Sequence, residues 1–117
     1  MSKLIAYDLG TGGVKSSLFD EDGRSLAESF VSYDTFYPQK GWYEQDPMDW
    51  WRGVCVSTTR LMEDSQCNPK EVVAVSLSGH NYVTVPFDGN NRMLTKRVPI
   101  WCDMRSSDMV ETFFKDM

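Results

Sequence analysis

The amino-terminal stretch from Lys3 to Asp20 restricts the fold more than any other part of the sequence, because it predicts two strands joined by a short glycine-rich loop. A near-continuous apolar run from Leu4 to Leu9 is typical of a strand that is covered on both faces. One acid, Asp8, interrupts this run, and the loop Gly10–Gly13 follows it. From Val14 to Phe19 the pattern has the period of a strand, so this loop connects strand to strand and does not open a helix.

The chemistry of this loop predicts a site for phosphate and magnesium. Glycine has no Cβ, so backbone N–H groups can approach a ligand closely, and consecutive N–H groups form an anion-binding nest. An acid beside the nest can hold a hydrated cation that bridges phosphate oxygens. The P-loop is excluded because Val14, and not glycine, precedes Lys15, and the dinucleotide fingerprint is excluded because no helix follows. A glycine-rich hairpin without a ligand is the alternative interpretation.

Length and composition indicate at most one domain of an ordinary globular protein, with 117 residues of which 41% are hydrophobic and 25% charged. A net charge of −5 disfavours a nucleic-acid partner. The sequence contains neither an apolar stretch of about 20 residues nor a signal pattern, so we expect no membrane association and a cytoplasmic location. The three cysteines share no C-x-x-C spacing and are predicted to be reduced thiols. Because His80 is the only histidine, a multi-histidine metal site is not expected.

The rest of the chain adds strands and helices in a recognisable order. A turn at residues 20–23 leads to a third strand around residues 26–31, and a loop rich in aromatic residues follows from Tyr33 to Gln45. Asp46-Pro47 predicts the start of an amphipathic helix of about four turns, with Trp50 and Trp51 in the core. The apolar, β-branched run Val72–Leu77 predicts a buried strand, which the preceding helix allows to lie parallel to the first strand. The predicted order is therefore βββαβ.

Two further elements are predicted after this core. Val83–Phe87 has a strand pattern, and Pro86 would place this strand at an edge of the sheet. A helix is predicted after Ser106, with apolar residues on one face at Val110, Phe113, Phe114 and Met117.

Four segments in this order make the sequence similar to a known family. They are DLGTGGVKSSLFDEDGR, GWYEQDPMDWW, SGH and PIWCDMRS, and together they resemble the FGGY carbohydrate kinases, with xylulokinase-like and glycerol-kinase-like members as the nearest. The resemblance covers all 117 residues. It implies a ribonuclease-H-like α/β fold of the actin and hexokinase superfamily, with a βββαβ core and a mixed sheet with flanking helices. The strand order derived above agrees with this fold.

The same resemblance implies ATP-dependent phosphorylation of a sugar or polyol hydroxyl, with Mg²⁺ on the phosphates. Carried over residue by residue, it assigns the nucleotide and metal contacts to Asp8, Gly10, Thr11, Gly12, Gly13 and Lys15. In this assignment Asp8 holds the hydrated Mg²⁺, and Lys15 can bring positive charge to the phosphates. Positive charge at the transferring group is the expected electrostatic contribution to such a reaction.

Sugar contacts are implied at two segments, namely at His80, Asn81, Tyr82, Trp101, Asp103 and Arg105. An aromatic face can contact C–H groups while polar neighbours orient hydroxyls. Structural interpretations of the same residues stay open: His80 as a turn histidine, Trp101 as a core residue, and Asp103–Arg105 as a surface pair worth under ~1 kcal/mol. Glycerol kinases carry Arg-Glu where this chain has Asn81-Tyr82, so a ketose or related sugar is preferred over glycerol. Xylulokinases often have Gln-Met-His there, which His80-Asn81-Tyr82 does not match either, so the resemblance does not name the sugar.

Family members are several times longer, so the resemblance implies that residues 1–117 are the amino-terminal part of a first kinase domain, apparently truncated. The catalytic aspartate and the adenine pocket are then expected beyond residue 117, and the chain alone is predicted to be inactive. The alternatives are a non-catalytic actin-like module for nucleotide binding or assembly and an actin-superfamily ATPase that is not a sugar kinase. In each case uncovered apolar surface predicts self-association, with a homodimer as one form.

Overall fold

The computed structural model describes residues 1–117 and divides them into two compact units. Residues 1–34 and 48–80 form the first, here named the sheet unit, and residues 35–47 and 81–117 form the second, named the loop unit. The regular elements are, in chain order, β1 (Lys3–Leu9), β2 (Gly13–Asp20), β3 (Ser25–Ser32), β4 (Glu44–Gln45), α1 (Pro47–Ser65), β5 (Val72–Ser78), β6 (Val98–Pro99) and α2 (Val110–Lys115). Neither helix combines the length and apolar character that would let it cross a bilayer.

The sheet unit confirms the predicted βββαβ order. Its four strands lie in the order β3-β2-β1-β5. Strands β1, β2 and β3 pair as an antiparallel meander, and β5 joins β1 in parallel after the α1 crossover. The turn between β2 and β3 is held by Asp20, whose Oδ1 accepts the amides of Asp22 at 3.0 Å and Arg24 at 2.9 Å. Gly23 supplies the left-handed residue of this predicted turn with φ of 79°.

Helix α1 begins at Pro47, as predicted, because proline lacks the N–H group that would be unpaired in a first turn. At 19 residues it is longer than the four turns expected. Its end is closed by side chains: the Ser65 hydroxyl donates to the Leu61 carbonyl at 2.6 Å and accepts the Cys67 amide at 3.2 Å. Gln66 then takes the left-handed conformation, φ 55°, that commonly ends a helix.

The core of the sheet unit lies between α1 and one face of the sheet. Ile5 and Tyr7 of β1, Val14 and Leu18 of β2, and Leu61 of α1 are buried together there. The helix backbone comes close to β2 at Gly53, where an added Cβ would lie only 2.8 Å from a methyl carbon of Val14. This close approach requires a residue without a side chain.

Three burial predictions were wrong. Leu4 is 38% exposed, so β1 is covered on one face, where Ile5 and Tyr7 lie, and not on two. Strand β5 is exposed along most of its length, with Leu77 at 67%, because it is an edge strand and the buried cluster is built on β1, β2 and α1. Trp51 is 62% exposed and is therefore not a core residue. An apolar run shows that a strand can be buried, but it does not show which of its faces is covered by another element.

The loop unit is organised by a short antiparallel pair, β4 with β6. Gln45, Val98 and Ile100 are its most buried residues. The strand predicted at Val83–Phe87 does not form, and Phe87 makes only an isolated bridge to Met93. Pro86 explains this difference, because proline has no N–H group to contribute to a strand ladder.

The helix predicted after Ser106 is present but is shorter than predicted. A 3-10 turn at Ser107–Met109 leads into the six-residue α2, and Met117 lies outside it. The apolar residues of α2 are exposed, with Phe113 at 59% and Phe114 at 70%.

Candidate functional site

A polar row crosses the sheet at the carboxyl end of β1. Asp8 is opposite Lys15 of β2 and opposite Ser78 of β5 in the strand registers. Residues that are directly opposite in a sheet point to the same face, so these three side chains lie side by side. The α1 helix covers the other face, where Ile5 and Tyr7 are buried, so the polar row belongs to the uncovered face.

The uncovered face carries a shallow recess of about 350 Å³ beside this row, lined by Ala6, Tyr7, Asp8, Lys15, Ser17, Phe19, Ser76 and Ser78. Three serines, one aspartate and one lysine therefore border a single open volume. The Lys15 ammonium group lies 3.8 Å from a carboxylate oxygen of Glu28, and both side chains are more than half exposed. Such an exposed pair contributes little to stability, so Lys15 is free to exchange this partner for another anion.

The glycine loop is closed by internal hydrogen bonds. The Gly10 amide donates to the Gly13 carbonyl at 2.9 Å. Tyr33, which follows β3, donates its backbone N–H to the Gly12 carbonyl at 3.3 Å and its hydroxyl to the Gly10 carbonyl. The loop is thus a defined turn held by β3.

The two glycines at the end of this loop differ in whether close packing requires them. An added Cβ on Gly12 would meet no atom within 4 Å, and Gly12 and Thr11 are both exposed. An added Cβ on Gly13 would lie 2.5 Å from the Val31 carbonyl oxygen and 2.6 Å from the Phe30 ring. Close packing against β3 therefore accounts for Gly13 by itself, whereas the exposed loop residues leave room for a ligand.

Tyr33 was not identified from the sequence as a site residue. Burial, together with the negative charge of Asp8, raises the pKa of its hydroxyl to about 12, so the group is a hydrogen-bond donor at all ordinary pH values. The one available signal was position, since Tyr33 is the first residue after a strand that pairs with the start of β2. Nothing in the local pattern distinguished it from the other aromatic residues of its loop.

His80 lies directly beyond β5 and packs on an α1 tryptophan. Its ring is 4.8 Å from the Trp50 ring, centroid to centroid, at an interplanar angle of 31°. Burial lowers the pKa of His80, which favours the neutral ring. Its Nε2 atom is buried without a hydrogen-bond partner, an uncommon state for a buried polar atom.

Asn81 and Tyr82, the next two predicted sugar contacts, belong to the loop unit and are exposed. Tyr82 is 96% exposed and has a positive φ of 56°, a conformation that bulky residues rarely adopt. Trp101 is 59% exposed, so the interpretation of this tryptophan as a core residue was wrong.

Asp103 and Arg105 form the centre of a hydrogen-bond network in the loop unit. One Asp103 oxygen accepts the Arg105 amide at 3.0 Å and its Nε at 2.8 Å. The other accepts the Tyr43 amide and the Arg105 Nη2, both at 2.8 Å. Arg105 also donates to Glu44 at 2.8 Å and stacks on Trp42, 4.0 Å from the ring centroid.

The electrostatics of this network follow from its hydrogen bonds. The guanidinium of Arg105 is the main reason that the pKa of Asp103 falls to about 2, and the pKa of Arg105 is raised by the same bond. The Asp103 side chain is only 5% exposed, so the interpretation as a surface pair was wrong. Glu44 and Trp42 were not identified from the sequence as members of this group.

The predicted residues therefore fall into separate groups. The sheet unit brings together Asp8 and Lys15 beside the glycine loop, and it also holds His80. The loop unit brings together Asp103 and Arg105. No group of three or more His, Cys, Asp and Glu side chains could hold a metal ion, so Asp8 is a single carboxylate.

Comparison with known proteins gives a consistent result. Residues 3–117 match the family described as "FGGY family of carbohydrate kinases, N-terminal domain". A glycerol kinase of Limosilactobacillus reuteri is 29% identical over 97% of this chain, which corresponds to 23% of that protein. The chain thus spans about a quarter of the length of this relative.

Solved structures agree with this result. A structure described as a xyloylose kinase from Brucella ovis is 30% identical, with a TM-score of 0.85 over 97% of this chain and 24% of its own. The glycerol kinase of Plasmodium falciparum with ADP has the same fold, with a TM-score of 0.85 at 16% identity over 100% of this chain and 24% of its own. The chain belongs to the FGGY family of carbohydrate kinases, whose amino-terminal domain it matches over residues 3–117.

Proposed function

We propose that residues 1–117 are the amino-terminal part of the first domain of a longer carbohydrate kinase, which transfers a phosphoryl group from ATP to a sugar hydroxyl. The observation that carries this proposal is the row of Lys15, Asp8 and Ser78 beside an exposed glycine loop, on an uncovered face of the sheet. Family membership supports it, since the matching family consists of carbohydrate kinases.

The donor set at the row fits a magnesium ion bound mainly through water and phosphate. Mg²⁺ demands octahedral oxygen ligation, gives up water reluctantly and is commonly held by one or two carboxylates plus substrate phosphates. Asp8 is exposed and single, which suits this mode better than a closed protein cage. When bound, the ion would neutralise charge on the phosphates.

The chain's own groups would bind and orient the nucleotide's phosphates. Thr11 and Gly12 are the exposed residues of the loop and would contact the phosphates, while Gly10 and Gly13 define its turn. Lys15 would release Glu28 and bring its ammonium group to the phosphates, where positive charge stabilises the transferring group. ADP in the Plasmodium falciparum glycerol kinase supports ATP as the donor here.

For the sugar, we propose contacts from His80, Asn81, Tyr82 and Trp101. Trp101 exposes an apolar face to C–H groups, and His80, which immediately precedes Asn81 and Tyr82, has a buried Nε2 without a partner, so a sugar hydroxyl would reach that atom only after a local movement. Asp103 accepts four hydrogen bonds within the loop unit, and Arg105 uses its Nε and Nη2 groups there, which favours a role in holding the segment around Trp101 over direct sugar contact. A ketose or related sugar is the proposed substrate class.

The chain contains no group to which we assign the role of general base for the sugar hydroxyl. We expect that carboxylate in the part of the protein beyond residue 117, as the length of the relatives suggests. The 117-residue chain alone is therefore expected to show no sugar-dependent ATP turnover.

We also propose a cytoplasmic location and self-association, the latter because the edge strand β5 exposes Val75 and Leu77.

A coupled assay of ADP release tests the proposal on a protein of the relatives' length. The protein is supplied with Mg-ATP and a panel of ketoses, aldoses and polyols, and Asp8→Ala is compared with Glu21→Ala, an exposed acid in the turn after β2. We expect turnover with one sugar class, a loss of at least about 100-fold in Asp8→Ala, and no change in Glu21→Ala. Absence of turnover with every sugar, or turnover indifferent to Asp8, would favour a non-catalytic binding module.

A further inference from the structure

Tyr33 contacts the glycine loop through two separate groups. Its backbone N–H donates to the Gly12 carbonyl, and its hydroxyl donates to the Gly10 carbonyl across 23 residues of sequence. The Gly10 amide in turn donates to the Gly13 carbonyl. The carbonyl groups of all three glycines are therefore directed at donors within the protein.

The direction of a carbonyl group determines the direction of the next amide. In a planar trans peptide the C=O of one residue and the N–H of the next point in opposite directions. Because the Tyr33 hydroxyl holds the Gly10 carbonyl, it also sets the direction of the Thr11 N–H, which faces away from Tyr33. An anion nest depends on such a common orientation of amides.

Packing holds the Tyr33 ring in place independently of its hydroxyl. The ring packs against the core of the sheet unit and is half-buried. It also lies next to α1, since a Cβ added to Gly53 would be 3.7 Å from Tyr33 Cδ1. Phenylalanine at this position would keep these contacts and remove only the hydrogen bond to the loop.

We propose that Tyr33 is a positioning residue that holds the Gly10–Gly13 loop in the shape that receives the phosphates of a nucleoside di- or triphosphate. The nucleotide part of this inference rests on the proposed function, whereas the contact between Tyr33 and the loop does not. Tyr33 acts through the loop backbone and not by touching the nucleotide.

Amide hydrogen exchange of the chain, without any ligand, tests the first step. In Tyr33→Phe we expect exchange of the loop amides to rise by about three- to tenfold, the range expected from the loss of one hydrogen bond. Amides of the core strands at Ile5 and Leu18 serve as internal controls and should be unchanged. Unaltered loop exchange in a folded Tyr33→Phe protein would overturn the proposal.

Steady-state kinetics of the longer kinase test the second step. We expect Tyr33→Phe to raise the KM for ATP by about three- to tenfold and to leave the KM for the sugar unchanged, a separation that general destabilisation would not produce. Tyr37 is an exposed tyrosine of the loop unit, and Tyr37→Phe is the matched control, which should leave both KM values unchanged.

If the wild type is active and Tyr33→Phe has the same KM for ATP, the positioning role is overturned. An inactive wild type would instead contradict the proposed function and the nucleotide part of this inference, while loop exchange would still decide whether Tyr33 holds the loop.

Discussion

Replacing Asp103 by asparagine tests the hydrogen-bond network of the loop unit. The Asp103 carboxylate accepts four hydrogen bonds, three from Arg105 and one from the Tyr43 amide. Asparagine has nearly the same size but no charge, and it turns one of the two accepting oxygens into a donor. That new donor would face donors of Arg105 or Tyr43, and Arg105 would keep only Glu44 as a carboxylate partner.

The expected loss of unfolding free energy in Asp103→Asn follows from the pKa of Asp103 and from the burial of its side chain. The pKa of Asp103 falls from 3.8 to about 2, so at about 1.4 kcal/mol per pKa unit the folded state favours the ionised carboxylate by about 2 kcal/mol. The side chain is only 5% exposed, so water screens these bonds little. Facing donors add a further cost, and we expect Asp103→Asn to lower the free energy of unfolding at pH 7 by about 3 kcal/mol.

The stabilisation that ionised Asp103 provides should decrease as the pH is lowered. Because the pKa of Asp103 is lower in the folded state than in the unfolded state, its stabilisation is fully present above about pH 4. It is lost as the pH falls from about 4 to about 2, where the folded carboxylate takes up its proton. The asparagine variant has no such group to protonate.

Urea unfolding of the wild type and Asp103→Asn between pH 7 and pH 2, followed by tryptophan fluorescence, measures this difference directly. The difference in unfolding free energy between the wild type and Asp103→Asn should be constant from pH 7 to pH 5. It should decrease by about 2 kcal/mol by pH 2. Asp108→Asn, which removes an exposed acid from the same unit, should show no such change with pH. A gap that stays the same from pH 7 to pH 2 would refute the reasoning, because the ionised form of Asp103 would then not be the stabilising form.

Two further predictions concern backbone geometry and are measured by the same urea unfolding. Gly53→Ala should destabilise the chain by about 1–3 kcal/mol, because the added methyl group would lie 2.8 Å from Val14 and force α1 away from the sheet. Unchanged stability in this variant would mean that the helix can shift at no cost. Asn91 has a positive φ of 61° in a turn that Asp88 holds through the amides of Asn90 and Arg92. Asn91→Ala should therefore cost about 1 kcal/mol and Asn91→Gly almost nothing, and equal effects of the two replacements would contradict this explanation.

Much of the sheet unit could be predicted because its signals are local. The glycine turn at Gly23 and the proline at Pro47 marked where elements end and begin, and hydrophobic periodicity identified the strands and the helix between them. The parallel pairing of β5 with β1 followed from the helix that separates them. Each of these inferences used residues within a few positions of one another.

The structural partners of the candidate site residues could not be predicted in the same way. The Tyr43 amide reaches Asp103 across 60 residues, and Arg105 reaches Glu44 across 61. A pattern of apolar and polar residues carries no information about such pairs, because their separation is not a period of any strand or helix. The exposure of β5 was missed for a related reason, since apolar side chains alone do not determine which neighbours cover them.

By itself, the sequence determined the order of strands and the helix, the glycine loop after Asp8, and the resemblance to a kinase family that the comparisons then confirmed. Those features depend on local conformational preference and on short motifs. Tertiary structure alone decided that Asp8 shares a row with Ser78, that Tyr33 holds the loop, and that Asp103 is saturated by donors. These properties depend on which distant groups meet, and only the packing of the folded chain brings those groups within hydrogen-bond distance.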